Sequence, residues 1–457
     1  MYASLFRNVL FPLYETRLRG RETLTRLQEL ERSQWRPEHE LRDLSFRRMV
    51  EAIRFAEQHV PLYRRRFAEY GVRARDVQSP DDLLRFPLLT KDDIRKHAKE
   101  LVAEGFQGRM YQSGTGGSTG QPIQFAYDHR TYEARIAAAM RADGWAGASP
   151  GERELHLWSR ATTAETPLRK AKRRVHETVL RKRMVCAWDL NVTQLAALCD
   201  SIEEFDPKVI ISYPTPLYYL ARHALETGRR LPSPRGIITS AERLFQHQRE
   251  VIERAFGAKI FDRYGCREVM LIASECERHE GKHINLENVH VEILRNGRHA
   301  GAGEPGEVIL TDLHCRSMPL IRYKNEDIAT YASAPCTCGR GMPMLASVEG
   351  RVLDMIVGPE GQLLAGEFFP HLLKDYTDVA RFQVHQDRSR TITIRLVPNG
   401  GWSHETPARV ERAAREFLGE RAAIQVVVVD DIPLTPGGKY RLTVSEIPVE
   451  LEREATA

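Results

Sequence analysis

Residues 113–122 read Ser-Gly-Thr-Gly-Gly-Ser-Thr-Gly-Gln-Pro, with four glycines and four hydroxyl side chains in ten positions. Glycine admits positive φ and lets the backbone turn its N–H groups toward one point. A run of such N–H groups forms a nest for an anion, and Ser113, Thr115, Ser118 and Thr119 add hydroxyl donors. The chemistry that suits this set is the cradling of a polyphosphate, so a nucleotide is the first expectation. A flexible linker of the same composition fits less well, because the stretch is expected between ordered segments. Leu101–Gly105 is read as closing a helix-like run, Ile123–Tyr127 as a strand and Thr131–Ala142 as a helix. No Lys-Ser or Lys-Thr follows the glycines, which excludes a P-loop. A strand rather than a helix comes next, which departs from the Rossmann pattern.

Four further stretches carry residues able to act on such a ligand. Asp262-Arg263-Tyr264-Gly265-Cys266-Arg267-Glu268 follows an expected strand, Lys259–Phe261, and ligands of α/β sheets lie beyond strand ends. Tyr264 could stack on a base, and Glu268 could hold a hard cation such as Mg²⁺ beside phosphates. In Met318-Pro319-Leu320-Ile321-Arg322-Tyr323-Lys324-Asn325-Glu326-Asp327, the last carboxylate could accept both ribose hydroxyls; a surface Asp in a charged loop is the alternative. Val348-Glu349-Gly350-Arg351-Val352-Leu353-Asp354 lies where the texture of the chain changes. Pro433-Leu434-Thr435-Pro436-Gly437-Gly438-Lys439-Tyr440-Arg441 puts a lysine on a Pro/Gly turn, able to reach across a cleft or simply to sit in solvent. Separately, Cys276, His283, Cys336 and Cys338 make a Cys₃His set suited to tetrahedral Zn²⁺. His279 competes for the imidazole position, and unconnected free thiols are the alternative.

The elements that must position these groups fit an α/β chain. Its 457 residues call for two or three domains. No apolar run approaches the ~20 residues of a membrane span. Met1–Gly20 mixes apolar residues with Arg7, Arg17 and Arg19 and is expected as a docked helix, a membrane-surface helix being the alternative; Arg7 argues against a secretory signal. Net charge is +5, with basic residues concentrated between Arg169 and Arg183. A solvated helix face is expected there; an acidic partner, a phosphate-bearing ligand or an anionic membrane are the alternatives. Aromatic interleaving is sparse, so nucleic-acid binding is not expected. Seven cysteines over this length argue for a reducing, cytoplasmic setting.

Residues 22–75 have helical periodicity, broken at Pro61 and Pro80. From about 150 to 330 strands (Glu154–Trp158, Val209–Ser212, Gly236–Thr239, Lys259–Phe261) alternate with helices (Val192–Glu204, Pro216–Thr227, Ala241–Phe256), which predicts a layered α/β sheet. Val289–Leu294 and Gly306–Thr311 read as a hairpin whose connection holds Asn296-Gly297. Beyond 350, strands Phe382–His385, Thr391–Val397 and Ala423–Val429 with an amphipathic helix Thr406–Leu418 predict a small α+β domain, and Glu450–Ala457 is expected to fray. The fold class is therefore α/β: a large layered α/β domain over 1–353, mainly helical in 1–110, plus a small α+β C-terminal domain over 354–457.

Together and in this order, the five stretches resemble the adenylate-forming ligases. They are most similar to the phenylacetate-CoA ligase family and, within it, to the CapK-like branch found with polysaccharide gene clusters. The resemblance covers nearly the whole chain, including Ser33-Gln34-Trp35, Val60-Pro61-Leu62-Tyr63 and Leu88-Leu89-Thr90-Lys91-Asp92. It implies activation of a carboxylic acid by ATP and Mg²⁺ to an acyl-adenylate, followed by transfer to coenzyme A. It implies that Ser113, Gly116, Gly117, Ser118, Thr119 and Gly120 cradle the pyrophosphate, that Tyr264 with Gly265 packs by the adenine, and that Glu268 ligates Mg²⁺. Asp327 and Arg351 would bind ribose and the nearby phosphate, and Asp354 would be the hinge of a mobile C-terminal lid. Lys439 would bridge the carboxylate and α-phosphate oxygens. Relatives also carry a Cys/His pair followed by Cys-x-Cys-Gly-Arg, which implies closed structural zinc, and they incline to dimers. Three residues depart from the pattern: Gln121 replaces a common lysine, Asn325-Glu326 replaces Thr-Gly, and Arg267 replaces Ser or Thr. The Asn325-Glu326 change makes the placement of Asp327 less secure. Two alternatives stand beside the ligase: transfer of the activated acid to an amine or sugar, and a non-catalytic nucleotide-binding scaffold. The presence of Glu268, Asp327, Arg351 and Lys439 speaks against the scaffold. Tyr213 and Pro214, at a strand end, could line the acid's pocket or be ordinary packed residues.

Overall fold

The computed structural model describes residues 2–114, 123–158, 166–187, 192–349, 356–359, 363–364, 368–373, 376, 378–398, 401–432 and 443–447. The opening is helical, with helices Thr23–Ser33, Glu38–His59 and Pro61–Glu69. Leu41, Met49, Ile53 and Ala56 recur at helical spacing in the second and are buried. Pro61, expected as a break, is the first residue of the third helix, where its missing N–H has no intrahelical role. Thr90 caps the helix Lys91–Lys96: its hydroxyl accepts from the Asp93 N–H at 3.1 Å, and the Asp93 carboxylate accepts from the Thr90 N–H at 2.8 Å. The helix-like run expected to close at Leu101–Gly105 stops at Lys96 instead. The apolar residues beyond it, Leu101 among them, are buried from turns rather than from a helix face.

Two strands, β1 (Met110–Gly114) and β2 (Gln124–Asp128), pair antiparallel with Gly114 opposite Gln124. Among the described residues the main sheet has twelve strands. They are β3 (Glu154–Trp158), β4 (Lys182–Cys186), β5 (Val209–Ser212), β6 (Gly236–Thr239), β7 (Ile260–Cys266), β8 (Met270–Glu275), β9 (Lys282–Ile284), β10 (Val289–Arg295), β11 (Arg298–His299), β12 (Pro305–Asp312), β13 (Tyr323–Tyr331) and β14 (Met344–Glu349). Their spatial order is β11-β10-β12-β13-β14-β9-β8-β7-β6-β5-β3-β4. β3 to β7 are parallel, and every pairing from β7 to β11 is antiparallel. Helices Val192–Phe205, Pro214–Glu226 and Gln246–Phe256 accompany the parallel half, and His129–Trp145 packs against β8 and β2. After β7 the connections are too short for crossover helices, which is why the layered alternation gives way to a meander.

Three expectations change in detail. The helix expected from Ala241 starts at Gln246, because Ala241 takes φ +71° and cannot continue a right-handed turn. β10 does pair with β12, but Asn296-Gly297, both at positive φ, makes the tight turn into the short strand β11. The strand after the glycine-rich stretch runs Gln124–Asp128, and its helix begins at His129 with Asp128 as cap. Beyond residue 356, β15 (Ile356–Val357) pairs with β16 (Leu363–Leu364). β17 (Val379–Gln386), β18 (Ile392–Pro398), β19 (Ile424–Val428) and β20 (Thr443–Ser445) form a smaller sheet in the order β19-β18-β17-β20. Helix Thr406–Leu418 buries Val410, Ala414 and Leu418. The fold is thus mixed α/β with a smaller C-terminal sheet unit.

One buried ion pair with its hydrogen bonds fixes the large sheet to the opening helices. Arg141 donates to Glu287 at 2.8 Å and to Asn285 at 2.5 Å, and Ser33 donates to the same Glu287 at 2.7 Å. Burial alone would raise the Glu287 carboxyl; Arg141 and these hydrogen bonds hold it below its ordinary value instead. Arg141→Met would leave that carboxylate buried without its counter-charge. It is expected to cost about 3–5 kcal/mol in urea unfolding, with the deficit shrinking as the pH falls and Glu287 takes up a proton.

Candidate active site

The segment Met318–Asp327 is held from the opening helices outward. The Tyr63 hydroxyl donates to the Pro319 carbonyl at 3.0 Å and accepts from the Ile321 N–H at 2.9 Å. Leu89 bridges the next residues, donating to the Arg322 carbonyl and accepting from the Lys324 N–H, both at 2.9 Å. Arg322 sits at φ +51° and forms a buried pair with Glu292 at 2.8 and 3.0 Å. Such a backbone persists only where its surroundings over-determine it. The early Val-Pro-Leu-Tyr and Leu-Leu-Thr-Lys stretches therefore act as the mount for Asp327.

Around Asp327 the side chains interlock. The Tyr264 hydroxyl donates to Asp327 Oδ2 at 2.9 Å. Asn325 Nδ2 donates to Asp327 Oδ2 at 2.8 Å and to the Tyr264 oxygen at 2.7 Å, and Asn325 Oδ1 accepts from the Asp327 N–H at 3.1 Å. The departure at Asn325 thus secures Asp327, contrary to the sequence expectation. Glu326 takes φ +70°, the conformation a glycine would favour, and its carboxylate pairs with the nearly buried Lys91 at 2.8 Å. Tyr264 is buried; burial first, then the Asp327 charge, raises its pKa well above the ordinary phenol value. The phenol is neutral and serves as a donor. Its ring lies in the apolar core that includes Ile272 and Leu345, and its hydroxyl reaches out of that core to Asp327.

Glu268 is also buried, and the Tyr323 hydroxyl donates to its Oε1 at 2.6 Å. Burial and this carboxylate push the neighbouring Cys266 thiol well above its ordinary pKa. Arg135, from helix His129–Trp145, donates to the Glu268 carbonyl and pairs with Asp312 at 2.7 Å. Gly265 is required here: a Cβ would lie 2.2 Å from the Met270 carbonyl across the bulged β7–β8 pair. Arg267 Nη1 donates to the Gly114 carbonyl at 3.0 Å. That bond joins the tyrosine–glutamate stretch to the end of the β1–β2 hairpin, from which the glycine-rich residues issue. Ser113 is in β1, paired with Phe125. Gly116, Gly117, Ser118, Thr119, Gly120, Gln121, Arg351, Asp354, Lys439 and the Glu450–Ala457 tail lie outside the described residues.

Sequence reasoning missed Tyr323, Asn325 and Arg135 as positioning groups, and the Ser240–Glu242 turn at the end of β6. Ala241 at φ +71°, beyond a parallel strand, is the signal that only coordinates reveal. Tyr213 is buried and stacks on Trp158 with centroids 4.2 Å apart, at the ends of adjacent strands β5 and β3.

Known proteins resemble this chain over most of its length. Residues 356–446 match the CapK C-terminal domain family. The phenylacetate-coenzyme A ligase of Escherichia coli is 28% identical over 430 residues, covering 88% of this chain and 94% of that protein. The enzyme of the same name from Thermus thermophilus is 24% identical over 449 residues, covering 89% and 96%. The chain is similar over most of its length to phenylacetate-coenzyme A ligases and to CapK. The protein CapK of Staphylococcus aureus is 23% identical over 365 residues, covering 79% of this chain and 80% of CapK. The crystal structure of 2-hydroxyisobutyryl-CoA ligase in complex with 2-HIB-AMP and CoA superposes with a TM-score of 0.61 at 20% identity, covering 88% of this chain and 89% of that one. The fold is therefore that of adenylate-forming enzymes.

A second cluster gathers Cys276, His283, Cys336 and Cys338, whose donor atoms all lie within 4.8 Å of one another. Cys276 and Cys336 sulfurs are 3.7 Å apart, and Cys338 Sγ is 3.4 Å from His283 Nε2. Tetrahedral Zn²⁺ with ordinary bond lengths would set S···S near ~3.8 Å and S···N near ~3.6 Å. His283 Nδ1 faces the Met342 carbonyl at 3.0 Å and must donate, which leaves the Nε2 lone pair toward the sulfurs. Backbone N–H groups of Arg278 and Arg340 point at Cys276 and Cys338 sulfurs, each at 3.4 Å. His279, the competing imidazole, instead pairs with Glu275 at 3.3 Å and lies edge-on to Phe261. Arg340 binds Glu277 through two bonds of 2.8 and 3.0 Å and sits 4.8 Å from both the Trp35 and Trp145 rings. Gly341 packs so tightly that a Cβ would lie 1.8 Å from the Arg36 carbonyl. The Cys-x-Cys-Gly-Arg-Gly stretch is thereby bolted to Ser33-Gln34-Trp35.

Proposed function

We propose that this chain is an AMP-forming acid–thiol ligase acting on a carboxylic acid, ATP and coenzyme A. The observation that carries the reading is the Arg267–Gly114 bond, which sets Tyr264, Glu268 and Asp327 beside the mouth of the glycine-rich hairpin. In the first step a carboxylate oxygen attacks the α-phosphorus of ATP and the bond to pyrophosphate breaks. The acid is already an anion at neutral pH, so the step needs no general base. Negative charge grows on the phosphate oxygens, and N–H dipoles of the 115–122 stretch together with Lys439 would meet it. Asp327, oriented by Tyr264 and Asn325, would accept the ribose hydroxyls, with Arg351 on the nearby phosphate. The Glu268 carboxylate, hard and fixed by Tyr323, suits Mg²⁺, which would neutralise phosphate charge when bound. In the second step the thiol sulfur attacks the acyl carbon, its proton goes to solvent, and AMP leaves. Residues 1–353 would form the ATP-binding body and 354–457 a lid that swings about Asp354 to deliver Lys439. The Cys276–His283–Cys336–Cys338 cluster suits a closed structural Zn²⁺. ATP and reduced thiols coexist in the cytoplasm, where the reaction would run.

Exchange of labelled pyrophosphate into ATP, screened over aryl, hydroxy, fatty and sugar acids, tests the first step. Product identification with coenzyme A, amines and sugars as acceptors then separates the ligase from a transferase. Absence of exchange with every acid, together with no Mg-ATP uptake in calorimetry, would overturn both. Tyr264→Phe keeps the packed ring and deletes the hydroxyl on Asp327. It is expected to raise the KM for ATP by about tenfold, the scale of a hydrogen bond to a charged group, with kcat nearly unchanged and the melting temperature within a few degrees.

A further inference from the structure

We propose that the helical segment Tyr2–Leu18 and the helix Pro167–Leu180 together form a docking surface for an anionic lipid bilayer. Of the fifteen large apolar side chains exposed among the described residues, ten lie on these two segments. Leu18 and Leu168 are 77% and 79% exposed, and Leu5, Val9, Leu13 and Val175 are each 43% or more exposed. The two segments meet: the Tyr2 hydroxyl donates to the Val179 carbonyl at 2.6 Å, and the Arg181 guanidinium lies 5.5 Å from the Tyr2 ring centroid. The first segment is fixed to the body by Phe6, which is buried against Gly151 so closely that a Cβ there would approach it to 2.8 Å. Its outward apolar residues are therefore presented from a seated helix.

Charge is concentrated in the same place. Residues 1–21 and 167–183 hold twelve Lys and Arg against two Glu, a net of ten positive charges on a chain whose total is only +5. The two acids are already engaged, Glu15 with Arg21 at 3.0 Å and Glu177 with Arg173 at 2.8 Å. Lys182 is also paired, with Glu154 at 2.8 Å; the remaining basic excess beside the exposed apolar side chains matches an anionic headgroup layer above an acyl boundary. A second copy of the chain would bring this basic patch against its own like, a contact that electrostatics opposes. The alternation of Lys170, Lys172 and Arg174 with Leu168 and Val175, read from sequence as a solvated face, gains a role once the first segment is seen beside it.

The full chain mixed with phosphatidylcholine–phosphatidylserine vesicles is expected to co-sediment with them, to stay in solution with phosphatidylcholine vesicles, and to dissociate as salt rises. Lys170→Glu/Lys172→Glu/Arg174→Glu should weaken that binding by at least about a hundredfold, since each basic side chain near such a surface contributes roughly fivefold. Leu10→Asp/Leu13→Asp should weaken it by about tenfold or more through lost insertion. Both variants alter exposed side chains, so melting temperature and pyrophosphate exchange should match the parent. Three results would overturn the proposal: equal binding to both vesicle types, no binding to anionic vesicles, or a dimer in analytical ultracentrifugation that Leu10→Asp/Leu13→Asp dissociates while vesicle binding is absent. Each can occur whether or not the ligase reading holds.

Discussion

Lys439→Ala is expected to lower acid-dependent pyrophosphate exchange by about 10²–10³-fold, the loss found when one preorganised donor to a developing oxyanion is removed. The same variant, given a synthetic acyl-adenylate and coenzyme A, should form thioester within a fewfold of the parent rate. The two halves of the reaction differ in where charge grows. In adenylation, a carboxylate anion must approach a phosphate that is itself negative, and a cation between their oxygens lowers that repulsion most at the transition state. In thioester formation the phosphate is leaving with its charge intact and the acyl carbonyl is the centre of change, so the same cation has little differential effect. Placing the lysine on the Pro433–Arg441 stretch, remote in sequence from the hairpin, suits a group that is present for one half-reaction only. Lys439→Arg should recover part of the exchange by restoring the charge with altered geometry. Full exchange by Lys439→Ala, or equal loss in both halves, would remove this residue from the role.

Much of the fold was legible because local pattern and burial agree. Thr406–Leu418 is a helix at the bounds its apolar spacing implies, and β17 and β18 pair where alternating residues place them. The main sheet was half legible. Its parallel strands are announced by the helices between them, whereas the antiparallel run from β8 onward is set by short connections whose pairing partners lie far along the chain. The same limit governs the site. Tyr264, Glu268 and Asp327 could be singled out by type and context, yet their mutual arrangement depends on Asn325, Tyr323 and Arg135, whose partners are between 2 and 177 residues away. Asn325 shows how a departure from a pattern misleads: judged by identity it loosens Asp327, but its amide binds both Asp327 and Tyr264. The choice between His279 and His283 was likewise closed to spacing, since both follow Cys276 within seven residues. It is decided by Glu275 and Phe261, which hold His279 elsewhere.

Protein prepared without chelator is expected to carry one Zn²⁺ per chain, and Cys336→Ser to lose it together with about 4 kcal/mol or more of stability. The size follows from what the cluster joins. Cys276 and His283 lie at the two ends of the β8–β9 connection and Cys336 and Cys338 within the β13–β14 connection, while Arg340 beside them holds Glu277, Gln34 and the faces of Trp35 and Trp145. Without the ion, three sulfurs and an imidazole are left crowded at a site where burial is the largest influence raising the Cys276 and Cys336 thiols. The Arg340 sandwich then loses the rigid knuckle that presents it. Trp145 should report this directly, since its indole stands edge-on to the His283 ring at 5.7 Å and donates to Gln34 at 3.1 Å. A strong chelator is therefore expected to shift tryptophan emission and lower the melting temperature in parallel, and added Zn²⁺ to restore both. Arg340→Ala separates the ion from its surroundings. It should keep the metal with affinity reduced by about 10–100-fold, as for loss of a group supporting metal ligands, and soften the Trp35–Trp145 contact while ligands stay in place. Stability lost on Cys336→Ser with metal content unchanged, or a metal-free protein with the parent's melting temperature, would mean that the four side chains converge for packing rather than for an ion.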